Sequence, residues 1–198
     1  FEQIHSESYS HIIRNIYQMP QQQFNAIHDT KQIVKMLSNI DTYYDALHVL
    51  NCKKVVYESL KDCHDIGLLP LHVSEHDHIK AVWLALIASY GLEAIRFMVS
   101  FSTSLGMVEN GIFVGNGNII SLILADELLH TGATAWIINT LVAKDERFRV
   151  IRDECEEEAR EMLLGIIQEE KDWADHILSK GTVLVLNPKI MKNFVDWT

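Results

Sequence analysis

The sequence predicts an all-α protein, and three of its properties lead to that class. Only three prolines interrupt the 198 residues, so long helices are possible between Pro70 and Pro188. Strict alternation of apolar and polar residues, which is typical of half-buried strands, is nearly absent. Apolar residues make up 48% of the chain and recur at helical spacing. We therefore expect residues 1–198 to form a single all-α domain with five or six helices.

The first third of the chain predicts two helical regions. The first runs from the start to about Tyr17, with isoleucines at helical spacing, and Pro20 follows its end. The second spans residues 25–66 and ends before Gly67 and Pro70, with Asn51 as the candidate position for a break.

The middle of the chain predicts two strongly apolar helices. Residues 71–78 are polar and rich in histidine, which favours a solvated connecting loop. Residues 79–105 are apolar nearly all round, as expected of a helix in the centre of a bundle. A looser glycine-containing stretch at 106–117 precedes a second apolar helix at 118–143.

The last part predicts one long charged helix and the start of another. The long helix covers residues 146–179, and Gly181 ends it. Asn187 and Pro188 form a helix start, with Asn as the cap and Pro at the first helical position. Because the chain opens on Phe1 inside a helical pattern, we expect a fragment truncated at both ends.

Charge and cysteine content exclude several classes of function. The chain has 17 basic and 27 acidic side chains and no basic cluster, so neither nucleic acid nor an anionic membrane is expected as a partner. The uncharged stretch at 81–92 is shorter than the roughly 20 residues that span a bilayer. Cys52, Cys63 and Cys155 form no CxxC motif, which favours reduced thiols and a cytoplasmic location.

Ionisable residues interrupt the most apolar helices. An unpaired buried carboxylate costs several kcal/mol, so such residues need partners or a metal. Two of the interruptions have the form Glu-x-x-His, a spacing that places both side chains on one helix face. The residues concerned are Glu2 and His5 on the first helix, Glu93 and Arg96 on the third, and Asp126, Glu127 and His130 on the fourth.

Two facing Glu-x-x-His pairs, together with one Glu from each of two further helices, form a di-metal carboxylate site in a four-helix bundle. Glu93 provides one of the single carboxylates, and the other would lie on a helix before Phe1. The alternative is structural: His5 would be a hydrogen-bonded core histidine, and Glu93 would pair with Arg96.

Four segments of this chain resemble the small, radical-generating subunit of class I ribonucleotide reductase. The matching segments follow in the same order and at similar spacing, over essentially the whole chain. They are residues 1–16 (FEQIHSESYSHIIRNI), 92–101 (LEAIRFMVSF), 125–132 (ADELLHTG) and 169–174 (EEKDWA). The tyrosyl-radical, di-iron type is the most similar.

The resemblance implies a role for each residue of these motifs. Glu2, His5, Glu93, Glu127 and His130 would bind two iron ions, although the donor types also accept manganese. Tyr9 would carry the radical, and Asp126 would hydrogen-bond a metal-bound histidine, His5 being the candidate. The apolar pocket around Tyr9 would consist of Phe97, Phe101 and Ile123. The resemblance also implies a ferritin-like helical bundle, truncated at both ends, with the di-metal site between its long helices. It further implies a homodimer that works with a large catalytic subunit to reduce ribonucleotides.

The chain departs from the family pattern at four points. The first aspartate ligand, the upstream tryptophan of the electron route and the C-terminal docking tail are missing, and Ala125 stands where relatives often carry Arg. We therefore expect residues 1–198 alone to bind metal weakly. Three other functions stay open: a ferritin-like ferroxidase, another di-iron oxidase or oxygenase, and a helical interaction module without metal.

Overall fold

Nine α-helices and one π-helical turn account for most of the described residues. A computed structural model of the chain describes residues 2–60, 71–184 and 186–197. The elements are α1 (Glu2–Ile16), α2 (Pro20–Asp29), α3 (Lys31–Leu60), α4 (Glu75–Gly91), the π-helical turn (Leu92–Arg96), α5 (Met98–Glu109), α6 (Val114–Lys144), α7 (Glu146–Glu154), α8 (Glu156–Ile177) and α9 (Pro188–Trp197). The only strand-like pairing in those ranges is one bridge between Val183 and Leu186. The all-α prediction is confirmed.

The column formed by α4, the π-helical turn and α5 lies at the centre of the bundle. Helix α4 packs against α3, α6, α7 and α8, and α5 packs against α6, α8 and α9. Trp83, Ala88, Val99 and Phe101 are buried along this column. The span Glu75–Glu109 is long and apolar enough to cross a membrane, but 56% of its most apolar window is buried against other helices. Such burial is typical of a core helix.

Polar side chains cap three of the helix starts. Ser74 accepts a hydrogen bond from the Asp77 amide at the start of α4, and Asp145 accepts one from the Arg147 amide at α7. Asn187 Oδ1 accepts a hydrogen bond from the Ile190 amide at α9, where Pro188 is the first helical residue. Each cap satisfies an amide that would otherwise lack an intrahelical partner. The predicted start of the last helix is confirmed.

The interruption in the second helical region lies at Thr30, so the position near Asn51 was wrong. Thr30 has an extended backbone, with φ −82° and ψ 102°, which ends α2. Its carbonyl accepts a hydrogen bond from the Val34 amide, and α3 follows at once. Helix α3 continues through Asn51 to Leu60, and the predicted end at Ile66 lies outside the described residues.

Two predicted loops are shorter than the sequence indicated. Helix α4 begins at Glu75, so His76 and His78 are helical; the Ser74 cap and the acidic first turn favour this early start. The stretch 106–117 contains only a four-residue connection at 110–113, because α5 continues to Glu109 and α6 begins at Val114. The glycines within 106–117 predicted a longer loop than the structure has, because single glycines are tolerated inside helices.

Two predicted continuous helices are interrupted. The helix predicted at 79–105 contains the π-helical turn at Leu92–Arg96, which inserts an extra residue into the hydrogen-bond ladder. The helix predicted at 146–179 breaks at Cys155, whose buried side chain packs in the core between α7 and α8. Neither position carries a proline, so the pattern alone did not indicate these breaks.

Candidate metal centre

Helix α1 presents three candidate residues on one face. Glu2, His5 and Tyr9 follow each other at intervals of three and four residues, which is the spacing of one helical face. His5 is only 5% exposed, whereas the Glu2 side chain remains largely exposed. Because α1 packs against α6, this face lies against the second Glu-x-x-His motif.

Helix α6 presents the second set of candidates. Glu127 is buried, with 3% exposure, and His130 lies one turn further on the same face. His130 Nδ1 lies 3.3 Å from Glu127 Oε2 and 3.3 Å from Glu2 Oε1. The rings of His5 and His130 are 5.9 Å apart between centroids. The two Glu-x-x-His pairs therefore meet between α1 and α6.

The two nitrogens of His5 have different surroundings. Nε2 lies 3.1 Å from Asp126 Oδ2, within hydrogen-bond distance. Nδ1 lies 3.1 Å from Glu127 Oε1 and 3.6 Å from Glu2 Oε2, but it has no hydrogen bond of acceptable geometry among the described residues. A proton shared with Asp126 would leave Nδ1 with its lone pair facing two carboxylates, which is the arrangement of a metal-binding histidine.

Glu93 lies on the π-helical turn and faces α6. Its Oε2 accepts a hydrogen bond of 2.9 Å from the Thr134 hydroxyl. The structural alternative, in which Glu93 pairs with Arg96, was wrong, because the Arg96 guanidinium forms a 2.8 Å ion pair with Glu169 of α8. The π-helical turn therefore directs Glu93 and Arg96 toward different neighbouring helices.

Burial raises the pKa of two carboxyl groups in this cluster. Desolvation is the main cause for both Glu93 and Glu127, and the nearby Glu2 carboxylate raises both pKa values further. The histidines act in the opposite direction, since their positive charge would stabilise the carboxylates. A cation that binds among such closely spaced, partly desolvated carboxylates stabilises their charged forms.

The donor atoms fit a metal ion. Ligand atoms of Glu2, Glu127 and His130 lie within 4.8 Å of one another. Carboxylate oxygen together with imidazole nitrogen suits ions such as iron and manganese. The buried Nδ1 atom of His5, which has no hydrogen-bond partner in the part of the chain that the structure describes, faces the same cluster. These residues could therefore hold a metal centre.

Tyr9 lies beside the cluster, and 38% of its surface is exposed in this chain. Desolvation raises the pKa of the Tyr9 hydroxyl to about 12, and the Glu127 carboxylate adds to the shift. The side chain lines a cavity of about 180 Å³ with residues of α1, α5 and α6, among them Ile12, Met107 and Ile120. The phenol is therefore neutral at physiological pH.

The three predicted pocket residues form one apolar cluster. Phe101 and Ile123 are buried together, and the ring of Phe97 lies 5.8 Å from that of Phe101. Ile12, on the same helix as Tyr9, packs against this cluster. Among the described residues, the lining of the Tyr9 cavity does not include the three, so their enclosure of Tyr9 stays a prediction.

Sequence reasoning missed two residues, Thr134 beside the centre and Glu170 behind the π-helical turn. Thr134 lies four residues after His130 on α6, so its place on the same face could have been read from the spacing. Glu170 is fully buried, and it falls between Ile166 and Ala174 at four-residue steps on the apolar face of α8. An acidic residue within an apolar stripe is the signal that could have identified it.

The comparisons with known proteins agree on one family. The family model "Ribonucleotide reductase, small chain" matches residues 1–198. Ribonucleoside-diphosphate reductase subunit beta of Buchnera aphidicola from Acyrthosiphon pisum is 36% identical over 198 residues, which is 99% of this chain and 52% of that protein. Subunit beta of reductase 1 from Escherichia coli O157:H7 is 36% identical over 200 residues, again 99% of this chain and 52% of that protein.

A viral relative gives the same result. Ribonucleoside-diphosphate reductase subunit beta of Enterobacteria phage T4 is 36% identical over 208 residues, with 99% of this chain and 53% of that protein covered. The chain therefore spans about half the length of the curated relatives it matches. Because the family model covers every residue, the chain belongs to the ribonucleotide reductase small-chain family.

Proposed function

We propose that this chain is the metal-binding part of a ribonucleoside-diphosphate reductase small subunit, which generates a radical on Tyr9. One observation carries the proposal: two Glu-x-x-His pairs meet between α1 and α6, one turn from a partly buried tyrosine on α1. The names of the relatives support the same reaction.

The proposed cofactor is a pair of iron ions, with manganese as the alternative for the same donors. Glu2, His5, Glu93, Glu127 and His130 would hold it. When bound, such a centre supplies, with O2, an oxidant strong enough to remove one electron from a phenol. The chain's own contribution is to hold the ligands in place and to limit access of water.

Tyr9 would give up one electron together with its phenolic proton, and would pass both to the oxidised centre held by the five ligands. Because its pKa is raised to about 12, the side chain starts as a neutral phenol. Loss of the electron alone would leave a cation in a partly desolvated place beside apolar residues, so loss of the proton in the same step avoids that cost. The product is a neutral radical, which needs no counter-ion.

Asp126 would orient His5 and connect the centre to the route by which the radical leaves the subunit. Its carboxylate lies 3.1 Å from Nε2 of His5 and fixes which nitrogen faces the cluster. The proposed partners are a second copy of the subunit and the large catalytic subunit, where nucleotides bind. A cytoplasmic location completes the proposal, and neither nucleic acid nor a membrane takes part.

Reconstitution of the intact protein with Fe²⁺ and O2 tests this function. Mixed with its large subunit, the protein should convert ribonucleoside diphosphates to deoxyribonucleotides, and Glu127→Ala should lose both iron and activity. Glu157→Ala, at an exposed position of α8, serves as the control and should retain both. Oxidation of Fe²⁺ without deoxyribonucleotide formation would instead identify a ferroxidase.

A further inference from the structure

Helix α8 holds the π-helical turn that carries Glu93 together with the start of α5. Three contacts form this attachment, spread over segment 96–100. The Arg96 guanidinium pairs with Glu169, the Val99 amide donates to Glu170, and the indole Nε1 of Trp173 donates to the Ser100 hydroxyl. Each distance lies between 2.8 and 2.9 Å.

Glu170 is the most buried member of this attachment. Its side chain is 0% exposed, and its Oε1 accepts the hydrogen bond from the Val99 amide at 2.9 Å. Val99 lies in the first turn of α5, where backbone amides have no intrahelical acceptor. Glu170 therefore caps α5 from a neighbouring helix, directly after the π-helical turn.

The opposite side of the turn faces the metal centre. Glu93 accepts a hydrogen bond from the Thr134 hydroxyl of α6. The nearby His130 lowers the pKa of Glu93, and the nearby Glu2 raises it. A π-helical turn holds one residue more than an α-helical turn. If it relaxed to regular α-helix, the residues on one side would rotate by about 100° relative to the other. Glu93 could then no longer face α6 while Arg96 and Val99 faced α8.

We propose that Glu170 is a positioning residue for the metal centre. By accepting a hydrogen bond from the Val99 amide, it holds the π-helical turn in the register that directs Glu93 toward α6. This inference rests on the proposed metal-binding function. Glu170 itself lies on the far side of the turn and would not touch the metal.

Glutamine offers a conservative replacement at this position. Burial raises the pKa of Glu170 to about 8, so the group is mostly uncharged near neutral pH. A glutamine side chain has the same shape, is uncharged and keeps an oxygen that can accept the Val99 amide. Leucine has a similar volume but no acceptor.

The experiment compares Fe²⁺ binding, under anaerobic conditions, to the intact protein and to three variants. Affinity is measured by titration, and the ligand field of the bound Fe²⁺ is followed by near-infrared circular dichroism. Glu170→Gln should match the wild type in both. Glu170→Leu should show altered bands and an affinity lower by about 10–100-fold, the usual scale for loss of a group that orients a ligand. Ile151→Ala, a core change in α7 within a different buried cluster from Ile95 of the turn, should lower thermal stability and leave the bands unchanged.

The outcomes separate the two proposals. The positioning role is overturned if Glu170→Leu binds Fe²⁺ with the bands and affinity of the wild type. It is also overturned if Ile151→Ala alters the bands as much as Glu170→Leu does. If the wild type binds no Fe²⁺, the proposed function itself fails. If Glu170→Leu does not fold, Glu170→Met replaces it: this variant keeps the length of the side chain but lacks the carboxyl oxygen that accepts the hydrogen bond from the Val99 amide. It should alter the Fe²⁺ bands and lower the affinity, and wild-type bands and affinity would overturn the proposal.

Discussion

At the scale of single residues, His5 shows how one side chain joins two parts of the centre. One ring nitrogen lies at hydrogen-bond distance from Asp126, and the other faces Glu2 and Glu127. Because a histidine has only one proton when neutral, the partner of one nitrogen decides whether the other can bind a metal.

Asp126→Ala should therefore weaken metal binding without removing a ligand. The ring of His5 would lose the group that fixes its orientation, and Fe²⁺ affinity should fall by about 10–100-fold. Asp153→Ala, an exposed aspartate that pairs with its neighbour Arg152, is the matched control. Anaerobic Fe²⁺ titration of the intact protein measures the change, and equal affinities for both variants would contradict the role of Asp126.

The sequence could predict which residues share a helix face, but not which helices face each other. The i, i+3 spacing identified Glu2 with His5 and Glu127 with His130, and the structure brings both pairs together. The partner of Arg96 was assigned wrongly, because Glu169 is 73 residues away and only packing of α8 against the turn brings it close.

At the scale of helices, close approach between α5 and α6 depends on a glycine. A Cβ atom built on Gly117 would lie 2.1 Å from Cγ2 of Val108. Valine is stiff at χ1, so it cannot move aside without cost.

The π-helical turn is a second feature at the scale of helices. The sequence did not predict it, because its register depends on contacts with α6 and α8 rather than on the local pattern.

Gly117→Ala should destabilise the protein by about 1–3 kcal/mol, since the clash outweighs the gain in helix propensity. Gly165→Ala in α8 is the control: among the described residues, apart from its chain neighbours and the nearby backbone of its own helix, no atom lies within 4 Å of the position that its new methyl group would take. That variant should be neutral or more stable by up to about 1 kcal/mol. Urea unfolding of both variants gives the comparison, and a stable Gly117→Ala protein would show that the two helices can move apart freely.

Glu170 should make stability depend on pH. Its pKa is about 8 in the folded chain, against an ordinary value of 4.5. Between these values the unfolded chain loses the proton and the folded chain keeps it, so the free energy of unfolding falls as pH rises from about 5 to 8.

Glu170→Gln removes this titration and is the reference. The stability of the wild type minus that of Glu170→Gln should decrease by an amount on the order of a few kcal/mol across that range. Chemical denaturation of both proteins at several pH values measures it. A difference that stays constant, or that grows with pH, would contradict a raised pKa.

At the scale of the whole molecule, one face of α6 is apolar and uncovered in this chain. Leu122, Leu129 and Trp136 recur every seven residues, and each is at least 67% exposed. A contiguous apolar surface of this kind is typical of an interaction site. The fold class could be predicted from composition and spacing, whereas the partner of this face could not, since exposure depends on chain segments and copies beyond the helix itself.

We expect the intact protein to be a homodimer. The family resemblance implies this state, and the exposed apolar side chains favour association. Sedimentation at micromolar concentration should give the mass of two subunits. A monomer under those conditions would contradict the prediction.

The central claim is that Tyr9 carries the radical, and electron paramagnetic resonance of the iron-reconstituted intact protein tests it most directly. Phenylalanine keeps the ring and its packing but lacks the O–H group, so Tyr9→Phe should bind iron normally and show no tyrosyl signal. Tyr17→Phe, two turns further along the chain, is the control and should keep the signal. A tyrosyl signal of normal intensity in Tyr9→Phe would contradict the account, because the radical would then reside on another tyrosine.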